Sequence, residues 1–232
     1  MTSHIIVVSE THSTNDDVMA LARDGASEGI WLRADAQTAG RGRSGRPWVS
    51  PPGNLYTSTL VRLRPGDPEA PGLALVAGVA LEEVASAYAP GRALMLKWPN
   101  DLLCDGAKLA GILLEREGDA VVAGIGINLA HHPDDLERPA TDLGGVDPGA
   151  FLADLADAFA RWVGRWRAEG LVPVVARWLE RAHPIGTGLD ARAVGSEPVS
   201  GLFDGLEPSG ALRLRLADGT SRVIQAGDIF LL

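Results

Sequence analysis

The sequence predicts an α+β protein in which a mixed sheet with packed helices precedes a small domain of β-strands. Segments with strand-like alternation interleave with segments of helical periodicity through most of the chain. After His183 and Pro184 the pattern changes to short strands broken by Gly and Pro. We therefore predict two domains, residues 1–185 and 186–232, of which the second is a small β-barrel.

Composition and charge are those of an ordinary globular protein. The 232 residues are 46% hydrophobic and 22% charged, which is enough for a sizeable core. There are 21 Lys and Arg residues against 30 Asp and Glu, and the resulting net charge of −9 opposes binding to nucleic acid. Cys104 is the single cysteine, so no intramolecular disulfide can form. No apolar run reaches the roughly 18 residues of a membrane span, and we expect a cytoplasmic protein.

Alternation and β-branched residues predict the strands. In chain order, those of the main sheet cover residues 4–8, 30–36, 54–63, 93–98, 108–117 and 120–129. Gly118 and Asp119 form a turn signal between the last two, which predicts a hairpin. In the second domain Leu212 and Leu214 alternate with arginines before the turn signal at Asp218, which predicts a further strand.

Helical periodicity predicts four helices. They cover residues 18–22, 68–88, 149–168 and 171–182. Ser13 or Thr14 offers an N-cap hydroxyl to the first helix, and Gly25 ends it. We place Glu82 and Glu83 on the polar face of the second. The last two helices carry three tryptophans at the spacing of core residues, Trp162, Trp166 and Trp178.

The segment GRGRSGRPW, residues 40–48, indicates a site for an anion. Three guanidinium groups in an acidic protein need a partner, and arginine makes forked contacts to phosphate or carboxylate. Glycine lets backbone N–H groups approach an anion closely. The alternative is a solvated loop that binds no ligand.

The same segment contains G-x-G-x-x-G, formed by Gly40, Gly42 and Gly45, but its context argues against a dinucleotide-binding fold. In that fold the third glycine opens a helix whose N-terminus binds the pyrophosphate. Here Pro47 and a further proline pair at 51–52 follow, and they prevent such a helix.

Residues 97–115, KWPNDLLCDGAKLAGILLE, hold both lysines of the chain, Lys97 and Lys108. Their proximity suggests a site that needs a compact ammonium group rather than a planar guanidinium. Asn100 and Asp101 follow at the end of a strand, where side chains can face a cleft. For Asp101 an Asx turn is the structural alternative.

The segment GIGINL, residues 124–129, places glycines inside a predicted strand. Glycine weakens a strand unless something lies close to its backbone. We consider a flat ligand and a bulge in a barrel-like sheet as the two explanations.

Together these motifs resemble those of biotin–protein ligases. The resemblance covers about residues 9–130 and rests, in chain order, on Ser13-Thr14-Asn15, Gln37, GRGRSGRPW, KWPND with Lys108, and GIGIN. It implies a class II synthetase-like catalytic domain and an SH3-like C-terminal barrel. It also implies that biotin and ATP, with Mg²⁺, form biotinyl-5′-AMP, and that biotin then passes to a lysine of a biotin carboxyl carrier protein or domain.

The resemblance also implies roles for individual residues. Biotin would be bound by Ser13, Thr14, Asn15, Gln37, Arg41, Gly42, Arg43, Lys108, Gly111 and Gly124. The nucleotide would be bound by Arg43, Arg46, Trp48, Lys97, Asn100 and Asn128. The catalytic residues would be Arg43, Asn100, Asp101 and Lys108, with Asp101 accepting the proton of the attacking amine. Mg²⁺ would be held mainly by phosphate oxygens and water, so we expect no dedicated metal site. The loop at 40–49 should be mobile when empty and order over the ligand.

Several alternatives stay open. One alternative is a lipoate or octanoate ligase, which would recognise an apolar acyl head; the polar residues Ser13, Thr14, Asn15 and Gln37 argue against it. The other is a catalytically silent module that binds biotin or a nucleotide. The segment at 131–135, HHPDD, could bind a metal, although it lacks a third ligand at suitable spacing. We expect Cys104 to be a buried, unreactive thiol. We also expect no N-terminal DNA-binding domain, because the predicted site begins at Ser13, and a homodimer through a sheet edge remains open.

Overall fold

The main sheet has seven strands in a computed structural model that describes residues 4–133, 139–193 and 197–231. Its strands are β1 His4–Thr11, β2 Ile30–Gln37, β3 Leu55–Arg62, β4 Leu94–Lys97, β5 Asp101–Cys104, β6 Ala107–Glu117 and β7 Ala120–Ile127. Their spatial order is β1-β2-β3-β7-β6-β5-β4. The β1–β2 pair is parallel and the other neighbours are antiparallel, which confirms the predicted mixed sheet. The predicted hairpin joins β6 to β7 at Gly118, where φ is 60°.

Helices cover the two faces of this sheet unequally. They are α1 Thr14–Arg23, α2 Gly72–Tyr88, α3 Pro148–Glu169 and α4 Val172–Leu179. α2 packs against the sheet, and α3 and α4 pack against α2, so this face forms the main core. The other face carries α1, which closes a smaller apolar cluster around Val18, Leu60 and Val122. The rest of that face is therefore left open for a binding site.

The structure corrects the predicted position of Glu82. We expected it on a polar face of α2, but its side chain is completely buried and forms ion pairs with Arg177 and Arg181. Glu82 lies on the side of α2 that faces α4, where it cannot reach solvent. The paired arginines compensate for the burial of the carboxylate. Glu83 stays 39% exposed and pairs with Arg161, as expected for the polar face.

The start of α1 differs from the predicted cap. Ser13 is the N-cap residue by position, but its side chain makes no capping hydrogen bond. Instead, the backbone N–H of Thr14 donates to Gln37 Oε1 at 2.9 Å. A side chain from β2 thus satisfies the helix end, and the Ser13 side chain lines a cavity instead.

Other expectations about burial are confirmed. Trp162, Trp166 and Trp178 are buried in the main core. Cys104 is fully buried, and this burial raises the pKa of its thiol, as expected for an unreactive cysteine. Among the described residues, every helix is too short or too polar to span a membrane.

The C-terminal part forms a five-stranded antiparallel sheet in the order β11-β10-β9-β8-β12. Its strands are β8 Gly188–Ala193, β9 Val199–Leu206, β10 Leu212–Arg215, β11 Ser221–Ile224 and β12 Gly227–Leu231. Leu212 and Leu214 point into the core, as their alternation predicted. The core of this sheet is continuous with that of the main sheet, so the boundary at 185/186 stays a prediction.

His183 lies where the two sheets meet. Its side chain is buried, its ring packs edge-on against Phe203 with centroids 5.4 Å apart, and its Nδ1 lies 3.1 Å from Met95 Sδ. Burial, and next the charge of Lys97, lower the pKa of His183 to about 4. The folded protein therefore keeps this ring neutral at pH values where an unfolded chain would protonate it.

We predict that His183 makes the protein less stable at acidic pH. The neutral His183 ring contributes fully to the free energy of unfolding above pH 6.5. This contribution is lost as the pH falls toward 4, since only the unfolded chain gains the proton over this range. The full loss is about 3 kcal/mol of unfolding free energy. Urea denaturation at several pH values should show a weaker pH dependence for His183→Leu than for the wild type. The exposed His4 provides a control, His4→Gln, and an unchanged slope in His183→Leu would contradict the prediction.

Candidate active site

A cavity of about 710 Å³ opens on the face of the main sheet that carries α1. The start of α1, the loop at 40–48, the sheet strands β6 and β7, and β12 of the C-terminal sheet all contribute to its wall. The predicted site residues that line it are Ser13, Thr14, Asn15, Gln37, Arg41, Gly42, Arg43, Arg46, Trp48, Lys97, Asn100, Asp101, Lys108, Gly111 and Gly124. The fold thus brings together segments that are far apart in the chain.

Asn128 is the predicted site residue that the structure does not bring to the cavity. Its side chain is buried and donates to the carbonyl oxygen of Thr141 at 3.1 Å, while its backbone N–H donates to Leu109. Alternate residues of β7, Gly124 and Gly126, face the cavity. The strand ends at Ile127, so this alternation does not extend to Asn128. Asn128 therefore lies outside the cavity lining, and its nucleotide-binding role stays a prediction.

A cluster of polar side chains that hydrogen-bond to one another forms one end of the cavity. Thr14 Oγ1 donates to Gln37 Oε1 at 3.2 Å, and Gln37 Nε2 donates to Ser50 Oγ at 3.0 Å. The hydroxyl of Ser58, which lies on β3, is 2.6 Å from Asn15 Oδ1 and 2.7 Å from Thr14 Oγ1. These contacts hold each side chain in one orientation. Sequence reasoning missed Ser58, because a Ser within an alternating strand looks like any other strand residue.

Glu115 holds the other side of the Asn15 amide. Asn15 Nδ2 donates to Glu115 Oε2 at 2.7 Å, so both ends of the amide are engaged by protein groups. Arg41 lies beside them and makes two hydrogen bonds to Asp16, at 2.6 and 2.8 Å. The hydrogen bond from Arg41 lowers the pKa of Asp16. Arg41 is thus already paired at the cavity rim.

The glycines of β7 accommodate side chains of the protein itself. A Cβ on Gly124 would lie 2.1 Å from Asn15 Oδ1, and one on Gly126 would lie 2.6 Å from the Trp48 ring. The sequence suggested a flat ligand or a bulge at this strand. What approaches the backbone in the structure is Asn15 and the flat indole of Trp48.

Lys108 and Asp101 form an ion pair inside the cavity. Lys108 Nζ lies 2.8 Å from Asp101 Oδ1 and 5.4 Å from the centroid of the Trp48 ring. Asn100 is anchored by its Nδ2, which donates to the carbonyl oxygen of Ile112 at 2.7 Å. The hairpin-like turn from β4 to β5 therefore presents an amide and a carboxylate beside an ammonium group.

The arginine-rich loop reaches the C-terminal sheet. Arg43 Nη1 lies 3.2 Å from Asn100 Oδ1 and 3.1 Å from Asp228 Oδ1. Arg46 Nη2 donates to Asp228 Oδ2 at 2.6 Å. No pattern in the sequence linked Asp228 to this site, because it lies about 180 residues further along the chain and in no motif.

The metal alternative at 131–135 is only partly within the described residues. His132 Nδ1 lies 2.6 Å from Asp142 Oδ2, whereas Asp134 and Asp135 lie outside the described part of the chain. Within the described ranges there is no group of three or more His, Cys, Asp or Glu side chains that could hold a metal ion.

Comparison with known proteins agrees with this geometry. Residues 7–130 match the Biotin/lipoate A/B protein ligase family, and residues 191–232 match the biotin protein ligase C-terminal domain. The chain is 41% identical to a biotin–[acetyl-CoA-carboxylase] ligase of Paracoccus denitrificans, with 97% of this chain and 99% of the relative covered. It is 36% identical to the ligase of the same name from Mycobacterium tuberculosis, with 96% and 87% covered.

The fold is shared with a solved biotin protein ligase. The structure superimposes on the Aquifex aeolicus enzyme in complex with biotin and ATP with a TM-score of 0.86 and 26% sequence identity. The match covers 99% of this chain and 98% of that one. The family match spans more than half of the chain, and the relatives cover almost all of it. The chain therefore belongs to the Biotin/lipoate A/B protein ligase family.

Proposed function

We propose that this protein is a biotin–protein ligase. It activates biotin with ATP to biotinyl-5′-AMP, releases pyrophosphate, and transfers biotin to a lysine of a biotin carboxyl carrier protein. The observation that carries the proposal is one cavity with a hydrogen-bonding end at Thr14 and Asn15 and a cationic end at Lys108 and Arg43. The relatives from Paracoccus and Mycobacterium carry the name of this activity.

The polar end of the cavity suits the ureido ring of biotin. A ureido group has one carbonyl acceptor and two N–H donors, and Ser13, Thr14, Asn15 and Gln37 supply matching hydroxyl and amide groups. The buried hydroxyl of Ser58 keeps the Asn15 amide in place. A lipoyl or octanoyl head has no such groups, so it would displace water from these polar side chains without making hydrogen bonds to them in return.

The cationic end suits the first chemical step. An oxygen of the biotin carboxylate attacks the α-phosphorus of ATP, the P–O bond to the β-phosphate breaks, and pyrophosphate leaves with the electron pair. Two anions must approach each other, so positioned cations lower the barrier. Lys108 would hold the carboxylate, while Arg43 and Arg46 would face the phosphates. Trp48 would cover the adenine side.

In the second step an acceptor lysine attacks the acyl carbon of the adenylate. The C–O bond to phosphate breaks and AMP leaves. A lysine amine has a pKa near 10.4, so it needs help in losing its proton at neutral pH. Asp101 lies beside Lys108 and is the carboxylate we assign to orient the amine and accept that proton.

Mg²⁺ would bind with the nucleotide. This ion prefers oxygen ligands and keeps several waters, so the triphosphate and one or two carboxylates are sufficient. When bound, the ion neutralises charge on the phosphates.

Ordering of the loop at 40–49 over the ligand is part of the proposal. Arg43 contacts Asn100 and Gly227, and Arg46 contacts Asp228, so these two arginines are anchored at the cavity opening before a ligand binds. Ordering over the ligand would concern the parts of the loop on either side of them.

The substrate is tested by biotin-dependent exchange of pyrophosphate into ATP. We expect exchange with biotin and none with lipoate or octanoate, because only biotin has a ureido ring that can hydrogen-bond to the polar end of the cavity. Exchange with lipoate alone would favour the lipoate ligase. Binding of biotin without exchange would favour a silent binding module.

We predict that Asp101→Asn separates the two steps. The amide keeps the shape of the side chain but accepts no proton, so transfer to a carrier domain should fall by about a hundredfold or more. Pyrophosphate exchange should fall less, since no amine is deprotonated in that step. The control is Asp119→Asn, which removes a surface carboxylate paired with Arg62. An equal loss in both assays would contradict the assigned role.

We also predict that Gly124→Ala weakens biotin binding. The added methyl group would overlap Asn15 Oδ1, so the amide must leave its position and at least one hydrogen bond to the ring is lost. The KM for biotin should rise by about tenfold or more, while the KM for ATP changes little. Gly164→Ala is the control, because nothing lies within 4 Å of the added methyl there. Wild-type KM for biotin in Gly124→Ala would refute the prediction.

A further inference from the structure

Asp228 connects the C-terminal sheet with the arginine-rich loop. Its Oδ1 lies 3.1 Å from Arg43 Nη1, and its Oδ2 lies 2.6 Å from Arg46 Nη2. The carbonyl oxygen of the neighbouring Gly227 accepts a hydrogen bond from Arg43 Nη2 at 2.9 Å. The first two residues of β12 thus hold both arginines that we assign to the phosphates.

The backbone around Asp228 is firmly placed. It pairs with Arg192 in the ladder between β12 and β8, and the next residue, Ile229, is buried in the core. The side chains of Asp228 and Arg43 are 29% and 24% exposed, so their ion pair is shielded from water more than pairs on the open surface, whereas Arg46 is 54% exposed. The carboxylate is therefore a fixed point, whereas the loop that approaches it is an irregular segment with one short 3₁₀ turn.

Resting on the proposed ligase function, we infer that Asp228 is a positioning residue for the nucleotide. Arg43 and Arg46 are close in sequence, carry like charges and have long side chains, so without a partner they repel each other and sample many rotamers. A shared carboxylate offsets the repulsion and fixes both guanidinium groups beside the cavity before ATP arrives. Each guanidinium has five N–H donors, so the contacts described leave donors of Arg43 for a phosphate oxygen.

The same contacts are also compatible with Asp228 weakening nucleotide binding, and the test must distinguish this effect from positioning. If the carboxylate occupied the place of a phosphate, it would compete with ATP and its removal would improve nucleotide binding. Positioning is favoured because Arg43 is also held by Asn100 and Gly227, which carry no charge and therefore do not replace a phosphate. The arginine is oriented from one side by three protein groups.

The informative substitution is Asp228→Asn, which keeps the shape of the side chain. Its amide oxygen can accept from one arginine, but its NH₂ group then meets the N–H donors of the other, so one contact is lost. Asp228→Glu keeps the carboxylate and should stay nearer to the wild type. Asp204→Asn is the matched control, since Asp204 forms an ion pair with Arg213 at 2.9 Å in the same sheet and does not line the cavity.

The first measurement is the kinetics of biotin-dependent pyrophosphate exchange. For Asp228→Asn the KM for ATP should rise by about tenfold, the effect of losing one charge-assisted hydrogen bond. The KM for biotin should rise less than the KM for ATP, because Asp228 contacts none of the ring-binding residues and reaches biotin only through Arg43. A merely structural role would instead lower kcat and affect both substrates alike. An unchanged or lower KM for ATP would overturn the inference, and a lower one would indicate competition.

The second measurement does not depend on activity. Trypsin cleaves after Arg41 or Arg43 only when the loop opens, so ligand-free Asp228→Asn should be cut there faster than the wild type and Asp204→Asn. Equal cleavage rates would also count against the inference. If the wild type showed no exchange with biotin, the proposed function would fail. If the wild type were active and Asp228→Asn behaved identically, only the present inference would fail.

Discussion

Carboxylates of the protein itself hold four cations of the cavity, and the rest of the site depends on this arrangement. Lys108 pairs with Asp101, Arg41 with Asp16, and the loop arginines with Asp228. A net charge of −9 provides enough acidic groups for this purpose. Positive charge concentrated in one cavity is costly unless it is compensated, and long side chains are disordered unless they have partners. The pairs solve both problems before a substrate binds.

The unequal covering of the main sheet provides the space for the site. Three helices cover one face, whereas α1 covers only part of the other. Side chains alternate along β7, so Ile125 and Ile127 fill the core while Gly124 and Gly126 face the cavity. The same strand thus contributes to stability on one side and makes room for Asn15 and Trp48 on the other.

The C-terminal sheet is part of the site. β12 lines the cavity and supplies the carboxylate that meets the arginine-rich loop. Its core is continuous with that of the catalytic part. The position of this carboxylate is therefore tied to the packing around His183 and Phe203, where the two sheets meet.

Local pattern alone predicted most elements of this protein and singled out three segments of its site, whereas binding roles for Ser13, Asn15 and Gln37 came only from the resemblance to biotin–protein ligases. Alternation and turn chemistry predicted the strands and the β6–β7 hairpin, because these depend on neighbouring residues. Charge and glycine content singled out the loop at 40–48, and the clustered lysines singled out Lys108. Only the tertiary structure decided that Glu82 is buried, that Asn128 lies outside the cavity, and that Ser58, Glu115 and Asp228 support the site. Such contacts join residues far apart in the chain, and their free energy depends on packing and distance, which no local pattern encodes.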